Sequence, residues 1–453
     1  MIVRTTELKQ LEQLYTQSGN QLVVLYGREG SEKEQFLRLF TQNKRKFYYR
    51  ARQCSAKEQL AQMGREIEAW YQVKLQKNTY DEYFTRIRSG NAEKLVLIID
   101  EFQYIQKKDA GFFESILKLK AKRLYPGPVL ILLCSSSITW IEQEENEQLA
   151  SNAKKIDAAI RLSDVTFLDV VRNFPEYTTR QCVEVYGILG GVASYLSRWN
   201  GKRSLKENIC RNILSPAGYL FGEAERYLSG ELRELSSYST ILGAIADGNQ
   251  KLNELYHKTG YSRAKISVYL KNLMEFDVIE KVSSFETGGW ENAKKGVYRI
   301  KDNYVSFWFR FLYPHLSDLY LLRPEEFYER HIEGELEEYL SRYFVQVCAE
   351  YMELLNVVGR LPIGLHKMGT WVGKQGNIDI IAQSDNRENI VGLCNWSRPQ
   401  LTWEAYEELE ETMKKAKIKA KYYYFFSAEG FDEKLKALAE EDKRFVLIDM
   451  KEL

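Results

Sequence analysis

A glycine and a lysine stand six positions apart, directly after a short apolar run. Residues 21–40 read QLVVLYGREGSEKEQFLRLF, which predicts a buried strand over residues 22–26, a tight loop and an amphipathic helix. Gly27 and Lys33 have the spacing of the motif GxxxxGK[ST], in which backbone N–H groups and a lysine surround the phosphates of a nucleotide. The sequence therefore predicts a phosphate-binding loop for ATP or ADP, with Mg²⁺ as the accompanying ion.

The loop departs from this motif at two positions. Glu32 stands where the motif has its second glycine, and Glu34 stands where it has the hydroxyl that binds magnesium. Two carboxylates near a phosphate repel it and partly cancel the charge of Lys33 and of the helix N-terminus. We therefore expect nucleotide and magnesium binding to be weak or lost, and hydrolysis to be slow or absent. The loop residues expected to contact nucleotide are Gly27, Arg28, Gly30, Ser31 and Lys33.

Two carboxylates follow a second apolar run. Residues 95–99 read LVLII, which predicts a strand buried on both faces of a parallel sheet, and Asp100 and Glu101 come next. Ligands of open α/β sheets bind beyond such strand ends, so we expect Asp100 to hold Mg²⁺ and Glu101 to polarise an attacking water. A third apolar run is followed by Ser135 and Ser136, which we expect to lie near the γ-phosphate.

The order YGREGSEK, LVLIIDEFQYI and LILLCSSS resembles the archaeal-type P-loop ATPase family of the AAA+/STAND group. Residues 160–175 resemble the segment that leads into the helical lid of this family. Residues 186–196, YGILGGVASYL, resemble its lid motif GGxPxYL, with Ala193 at the proline position. The resemblance implies a P-loop core in residues 1–165 and a helical lid in residues 166–237.

The next stretch, residues 238–310, predicts three helices and a β-ribbon. This layout is that of a winged helix-turn-helix, whose third helix would enter a major groove while the wing touches phosphates. The residues expected to contact double-stranded DNA are Arg263, Lys265, Ser267 and Lys271 on the helix and Lys294 and Lys295 in the wing. The alternative is a module that docks a protein partner, with cations that only keep the surface soluble.

Residues 311–453 alternate strands and helices and resemble the restriction-endonuclease-like domain that ends many of these ATPases. That resemblance implies a metal site built from an Asp on one strand and Glu-x-Lys on the next. IDIIA keeps Asp379, whereas Leu393 and Asn395 stand where Glu and Lys are usual. Because one carboxylate cannot hold a catalytic Mg²⁺, we expect Asp379 to be vestigial and nuclease activity to be absent.

Composition sets the remaining limits. The net charge is +1, which gives no global electrostatic argument for nucleic acid, and the six cysteines form no CxxC pair. The N-terminus lacks a signal-peptide apolar region, and the apolar runs are far shorter than the roughly 20 residues that span a membrane, so we expect a cytoplasmic protein. The sequence leaves the oligomeric state open, and an oligomer is possible.

Together these observations predict an α/β protein with a P-loop AAA+-like core, a helical lid, a winged helix and a C-terminal restriction-endonuclease-like domain. Because both predicted catalytic centres have lost residues, we expect a regulatory scaffold that binds DNA or a protein partner. The alternatives are a slow ATPase activated by a partner and, less well supported, a metal-dependent nuclease.

Overall fold

The computed structural model describes residues 4–87, 93–121, 128–142, 147–232, 234–285, 296–373, 376–397 and 399–453. The chain divides into two compact units, Met1–Asp164 and Val165–Leu453. Within the described ranges, no helix is long and apolar enough to cross a bilayer.

The first unit is built on a parallel sheet with the strand order β2-β3-β4-β1-β5. Its described strands are β1 (Gln21–Tyr26), β2 (Lys46–Arg50), β3 (Leu95–Asp100), β4 (Val129–Ser135) and β5 (Ala158–Arg161). All residues of β1, β3 and β4 are buried, as their continuous apolar runs predict for central strands of a parallel sheet. The predicted P-loop core is confirmed by this architecture.

Helices cover both faces of this sheet. They are α1 (Thr5–Thr16), α2 (Lys33–Phe40), α3 (Ala56–Tyr71), α4 (Tyr80–Arg86), α5 (Gln103–Gln106), α6 (Gly111–Lys120), α7 (Ile138–Glu142) and α8 (Glu147–Ser151). Alternate residues of each strand enter two cores: Val23 and Leu25 pack with α1 and α2, and Leu22 and Val24 pack on the opposite face. β4 lies between β1, which leads into the P-loop, and β3, which ends at Asp100.

The second unit begins with helices. They are α9 (Phe167–Asn173), α10 (Thr179–Leu189), α11 (Ala193–Leu196), α12 (Leu205–Ile209), α13 (Glu223–Glu231), α14 (Leu235–Ala246), α15 (Leu252–Thr259) and α16 (Arg263–Glu275). Threonines cap the first two of them: the side chains of Thr166 and Thr178 each accept a hydrogen bond from the third residue of the helix and complete a capping box. Helix α12 continues as a π-helical turn at Cys210–Leu214.

Helices α14 to α16 are followed by an antiparallel ribbon of β6 (Ile279–Ser283) and β7 (Gly296–Ile300). The three predicted helices and both strands of the ribbon are therefore present. Beyond β6, the backbone N–H of Phe285 donates to the carbonyl of Thr370 over 2.8 Å, so the chain leaving β6 is attached to the C-terminal sheet.

After the ribbon come α17 (Asn303–Phe307), α18 (Leu316–Leu321), α19 (Pro324–His331) and α20 (Leu336–Val357), then β8 (Lys367–Gly373), β9 (Gly376–Gln383), β10 (Asn389–Asn395), α21 (Trp403–Ala416), β11 (Tyr422–Ser427), α22 (Glu433–Glu441) and β12 (Phe445–Asp449). The five strands form a sheet of order β12-β11-β10-β9-β8. β10, β11 and β12 are parallel, while β8 and β9 pair antiparallel. The restriction-endonuclease-like assignment of this region stays a prediction.

Candidate functional site

The P-loop leaves β1 at Gly27 and closes on the first turn of α2. A Cβ at Gly27 would lie 2.6 Å from the carbonyl oxygen of Leu162, so only glycine fits at this crossing. Gly30 adopts φ +88°, a value that glycine tolerates without strain. The two glycines of the predicted loop therefore have structural reasons to be glycine.

Glu32, at the position of the motif's second glycine, has a left-handed backbone. Its φ and ψ are 60° and 30°, in the left-handed region, where a Cβ costs roughly 1–2 kcal/mol. Both carboxylate oxygens are buried and accept no hydrogen bond from the residues that the structure describes. Glu32 thus combines backbone strain with an unsatisfied carboxylate inside the loop.

The ammonium group of Lys33 is bound by the two carboxylates at the end of β3. Its Nζ lies 2.8 Å from Oε1 of Glu101 and 3.2 Å from Oδ1 of Asp100, and all three side chains are buried. Burial alone would lower the pKa of Lys33, but the neighbouring Asp100 and Glu101 outweigh burial and raise it. The one cation that the motif provides for phosphates is therefore neutralised within the protein.

Glu101 is held in place by four contacts. Besides the ion pair with Lys33, its Oε2 accepts hydrogen bonds from Nε2 of Gln103 over 2.6 Å and from the hydroxyl and backbone N–H of Ser136 over 2.7 and 3.1 Å. Burial would raise the pKa of Glu101, but Lys33 and these donors lower it overall. A carboxylate has about four acceptor positions, so little capacity is left to orient a water.

Strand β2 supplies site residues that were not predicted from the sequence. The hydroxyl of Tyr48 donates to Oδ2 of Asp100 over 2.8 Å, and the Arg50 guanidinium forms a short contact with Glu34. Nε of Arg50 is also 4.0 Å from Oδ2 of Asp100. The alternating burial of β2 in KFYYR places Tyr48 and Arg50 on one face, but only the strand order reveals that this face adjoins Asp100.

The other predicted contacts occupy different positions in the site. Ser136 contacts Glu101, whereas Ser135 is fully buried as the last residue of β4, and its Oγ accepts a hydrogen bond from the N–H of Ser137 over 3.1 Å. Ser31 is buried within the loop. Arg28 pairs with Asp164 over 3.2 Å.

These residues do not fit Mg²⁺ and a triphosphate in the described arrangement. Lys33 is engaged by Asp100 and Glu101, and the loop contains the unsatisfied Glu32 carboxylate, which would repel a phosphate. Glu34 points away into its pair with Arg50. Throughout the described ranges, no three His, Cys, Asp or Glu side chains form a metal cluster.

Helix α16 carries the residues predicted to contact DNA. Arg263, Ser267 and Lys271 are exposed one turn apart on a single stripe, next to Ala264 and to Val268, which is 57% exposed. These two apolar residues were not among the predicted contacts. The two cations of the stripe have contacts within the protein. The Arg263 guanidinium lies 4.3 Å from the ring centroid of Tyr256, and Lys271 forms an ion pair with Glu275 at 3.5 Å.

Lys265 lies at the edge of this stripe. It is half-buried, with its Nζ 4.1 Å from the Tyr261 ring centroid. Ser267 donates its hydroxyl hydrogen to the Arg263 carbonyl over 2.8 Å. The predicted wing contacts Lys294 and Lys295 fall outside the described residues.

Asp379 lies on β9 and accepts a hydrogen bond from the backbone N–H of Cys394 over 2.9 Å. Burial raises the pKa of Asp379 to about 6. Leu393 and Asn395 flank Cys394 on β10, where the resemblance implies Glu and Lys. The structure thus places Asp379 beside the two substituted positions without a second carboxylate on that part of β10.

Two family models match the chain. An ATPase domain found predominantly in Archaea matches residues 2–198, and a family of archaeal and bacterial proteins of unknown function matches residues 308–420. A protein of Methanocaldococcus jannaschii described as uncharacterized is 26% identical over 388 residues, covering 86% of this chain and 85% of that protein.

Solved structures that match the chain include the Walker-type ATPase PABY2304 of Pyrococcus abyssi, with a TM-score of 0.46, 17% identity, and coverage of 68% of this chain and 96% of that one. The ORC2 protein of Aeropyrum pernix has a TM-score of 0.46 and 11% identity, and the match covers 68% of this chain and 92% of that one. Both scores lie below 0.5, so the assignment depends on the family models. The match of residues 2–198 shows that this part of the chain is an ATPase domain of the type found predominantly in Archaea.

Proposed function

We propose that this chain is a member of the ATPase family that works by binding rather than by turnover, with a P-loop held closed by its own acidic residues and with α16 as a contact surface for duplex DNA. The observation that carries the first part is the double ion pair of Lys33 with Asp100 and Glu101.

The closed P-loop is supported by the ion pairs that a nucleotide would have to break, because Asp100 and Glu101 compete with its phosphates for Lys33. Phosphate binding requires Lys33 to leave two buried carboxylates, and removing one partner of a buried ion pair typically costs about 3–5 kcal/mol. Glu101 would also have to give up hydrogen bonds before it could orient a water. These costs oppose nucleotide binding and hydrolysis in the same site.

The DNA contact is supported by the exposed stripe of α16. Arg263 and Lys271 offer cations for phosphates or base edges, and Ala264 and Val268 offer the small apolar contacts that a thymine methyl accepts. Ser262 caps the helix by accepting a hydrogen bond from the N–H of Lys265, which fixes the end that would enter the groove. A protein partner is the alternative occupant of this stripe.

Phosphate release at saturating Mg²⁺ and ATP tests the first part. We expect no release above background from the wild-type chain, with or without duplex DNA. Release that DNA stimulates and that Glu101→Gln abolishes would instead establish the partner-activated ATPase, whose residues Lys33, Asp100, Glu101 and Ser136 are all present at one sheet edge.

Fluorescence polarisation with a labelled duplex tests the second part. We expect salt-sensitive binding that Arg263→Glu/Lys271→Glu weakens at least tenfold, about 1.4 kcal/mol. The double reversal Lys74→Glu/Lys77→Glu is the matched control, because both lysines are exposed and belong to the first unit. Binding that is unchanged by the α16 reversal would leave the protein partner as the explanation of the stripe.

A further inference from the structure

A second basic surface lies at the end of α21. Residues 414–421 read KKAKIKAK, which is five lysines in eight positions with no acidic residue. All five lysines are exposed. In a chain with a net charge of +1, such a concentration of one sign is a local feature rather than a consequence of composition.

The side chains of the second half of this segment alternate between the protein core and the solvent. Ile418 is buried in the core of the C-terminal sheet and Ala420 packs against that core, while Lys417, Lys419 and Lys421 between and beside them are exposed. The alternation turns the three lysines to the solvent side. We call Lys414, Lys417 and Lys419, with their neighbours Lys415 and Lys421, the lysine row.

The backbone that carries the lysine row is fixed. The side-chain amide of Asn389 donates to the carbonyl of Lys419 over 2.9 Å, and the N–H of Lys421 donates to the carbonyl of Asn389 over 2.8 Å. Asn389 is itself buried, and its Oδ1 accepts a hydrogen bond from Gln383 over 2.8 Å. The lysines therefore project from an ordered edge, which lowers the entropy lost when they bind a ligand.

Only two residues of the lysine row form ion pairs with acidic side chains of the described chain. Lys415 pairs with Glu411 at 3.8 Å, and Lys421 pairs with Glu388. No acidic side chain in the described part of the chain lies within ion-pair distance of Lys414, Lys417 or Lys419. Lys414 and Lys415 belong to the last turn of α21, where the helix dipole stabilises a cation. Lys417 and Lys419 lie beyond that turn.

We infer that the lysine row binds the phosphate backbone of a nucleic acid. Lysine is a mobile point charge that suits phosphates without demanding a fixed geometry. The row exposes no large apolar or aromatic side chain, whereas anchors of that kind usually carry a protein interface or a membrane-surface contact. Contact through charge alone is the mode of sequence-independent nucleic-acid binding.

This surface is separate in sequence and in its supporting elements from α16, and it goes beyond the proposed function, which uses α16 to contact DNA. One experiment reports on both surfaces separately. The full chain is treated with a lysine-acetylating reagent, alone and with a duplex of mixed sequence, and each lysine is quantified by mass spectrometry.

We expect the duplex to protect Lys417 and Lys419 at least threefold while Lys74 and Lys77 react as before. Protection of Lys271 without protection of Lys417 and Lys419 would overturn this inference and leave the proposed function intact. The reverse pattern would support the inference and count against α16. Equal protection by polyglutamate and by the duplex would also overturn it, because an acidic polypeptide would then be an equivalent ligand.

The salt dependence of duplex binding provides the second measurement. The slope of log K against log salt is negative, and each lost phosphate contact makes it less steep by about 0.9, so Lys417→Glu/Lys419→Glu should reduce its magnitude by about 2. Lys74→Glu/Lys77→Glu changes the net charge equally and should leave the slope unchanged. Because Lys417 and Lys419 are exposed side chains, we expect the lysine-row variant to fold normally. An unchanged slope in this variant would refute the inference.

Discussion

Removing the side chain of Glu32 should stabilise the P-loop. The two buried carboxylate oxygens have no hydrogen-bond donor in the described chain, and leaving such a group unsatisfied costs about 1–3 kcal/mol. A carboxylate at the N-terminus of α2 returns up to about 1 kcal/mol through the helix dipole. We therefore expect Glu32→Ala to raise the free energy of local opening by about 1–2 kcal/mol.

The glycine variant separates the carboxylate from the backbone strain. Glu32→Gly also relieves the left-handed conformation, which costs a residue with a Cβ about 1–2 kcal/mol. Glycine also lowers the stability by about 0.4–1 kcal/mol, because it increases the conformational entropy of the unfolded chain. Glu32→Gly should therefore be more stable than Glu32→Ala, by up to about 1.5 kcal/mol.

Native-state hydrogen exchange is the appropriate assay, because the chain has two units and a single global unfolding transition is not assured. Peptides that cover β1 and α2 should exchange more slowly in both Glu32 variants. Glu29→Ala is the matched control, since Glu29 is an exposed carboxylate in the same loop and its loss should change stability by less than about 0.5 kcal/mol. Faster exchange in Glu32→Ala would refute the reasoning, because Glu32 would then stabilise the loop.

Three further changes test other parts of the structure. Lys33→Met should destabilise the first unit by about 3–5 kcal/mol at pH 8 in urea unfolding, and by less near pH 5, because without Lys33 burial raises the pKa of Glu101 and its carboxylate takes up a proton. Gly27→Ala should cost about 1–3 kcal/mol in the same assay, since its Cβ meets the Leu162 carbonyl at 2.6 Å; an unchanged midpoint would contradict this close packing. Burial raises the pKa of Asp379 from 3.8 to about 6, so its carboxylate destabilises the folded chain increasingly as pH rises through this window. Asp379→Asn should therefore be more stable than wild type at pH 8, by up to about 3 kcal/mol, and the gain should disappear near pH 4; a gain independent of pH would contradict the raised pKa.

Much of the first unit could be predicted from sequence because its central strands are continuous apolar runs. β5 was not predicted, since it is short and only Ile160 in it is buried. β8 was missed for a similar reason: all of its residues are half-buried, so neither alternation nor a continuous apolar run marks it. The position of Asp100 and Glu101 followed from the end of β3, which the end of a continuous apolar run locates well.

The ion pair of Lys33 with Asp100 and Glu101 could not be predicted from the sequence. The spacing of the motif gives the position of Lys33 but not the direction of its side chain, which depends on where β3 and β4 lie relative to β1. Tyr48 and Arg50 illustrate the same limit, because their approach to Asp100 depends on the pairing of β2 with β3. Local patterns thus identify the strands, whereas the chemistry at their ends depends on strand order.

The central claim is that acidic residues within the protein occupy the P-loop in place of phosphates. Isothermal titration with Mg²⁺ and ATP of the wild-type chain and of Glu32→Gly/Glu34→Thr measures this competition directly. We expect a wild-type Kd of about 1 mM or weaker and at least tenfold tighter binding by the restored loop. A wild-type Kd near about 1 μM that Lys33→Ala abolishes would contradict the claim.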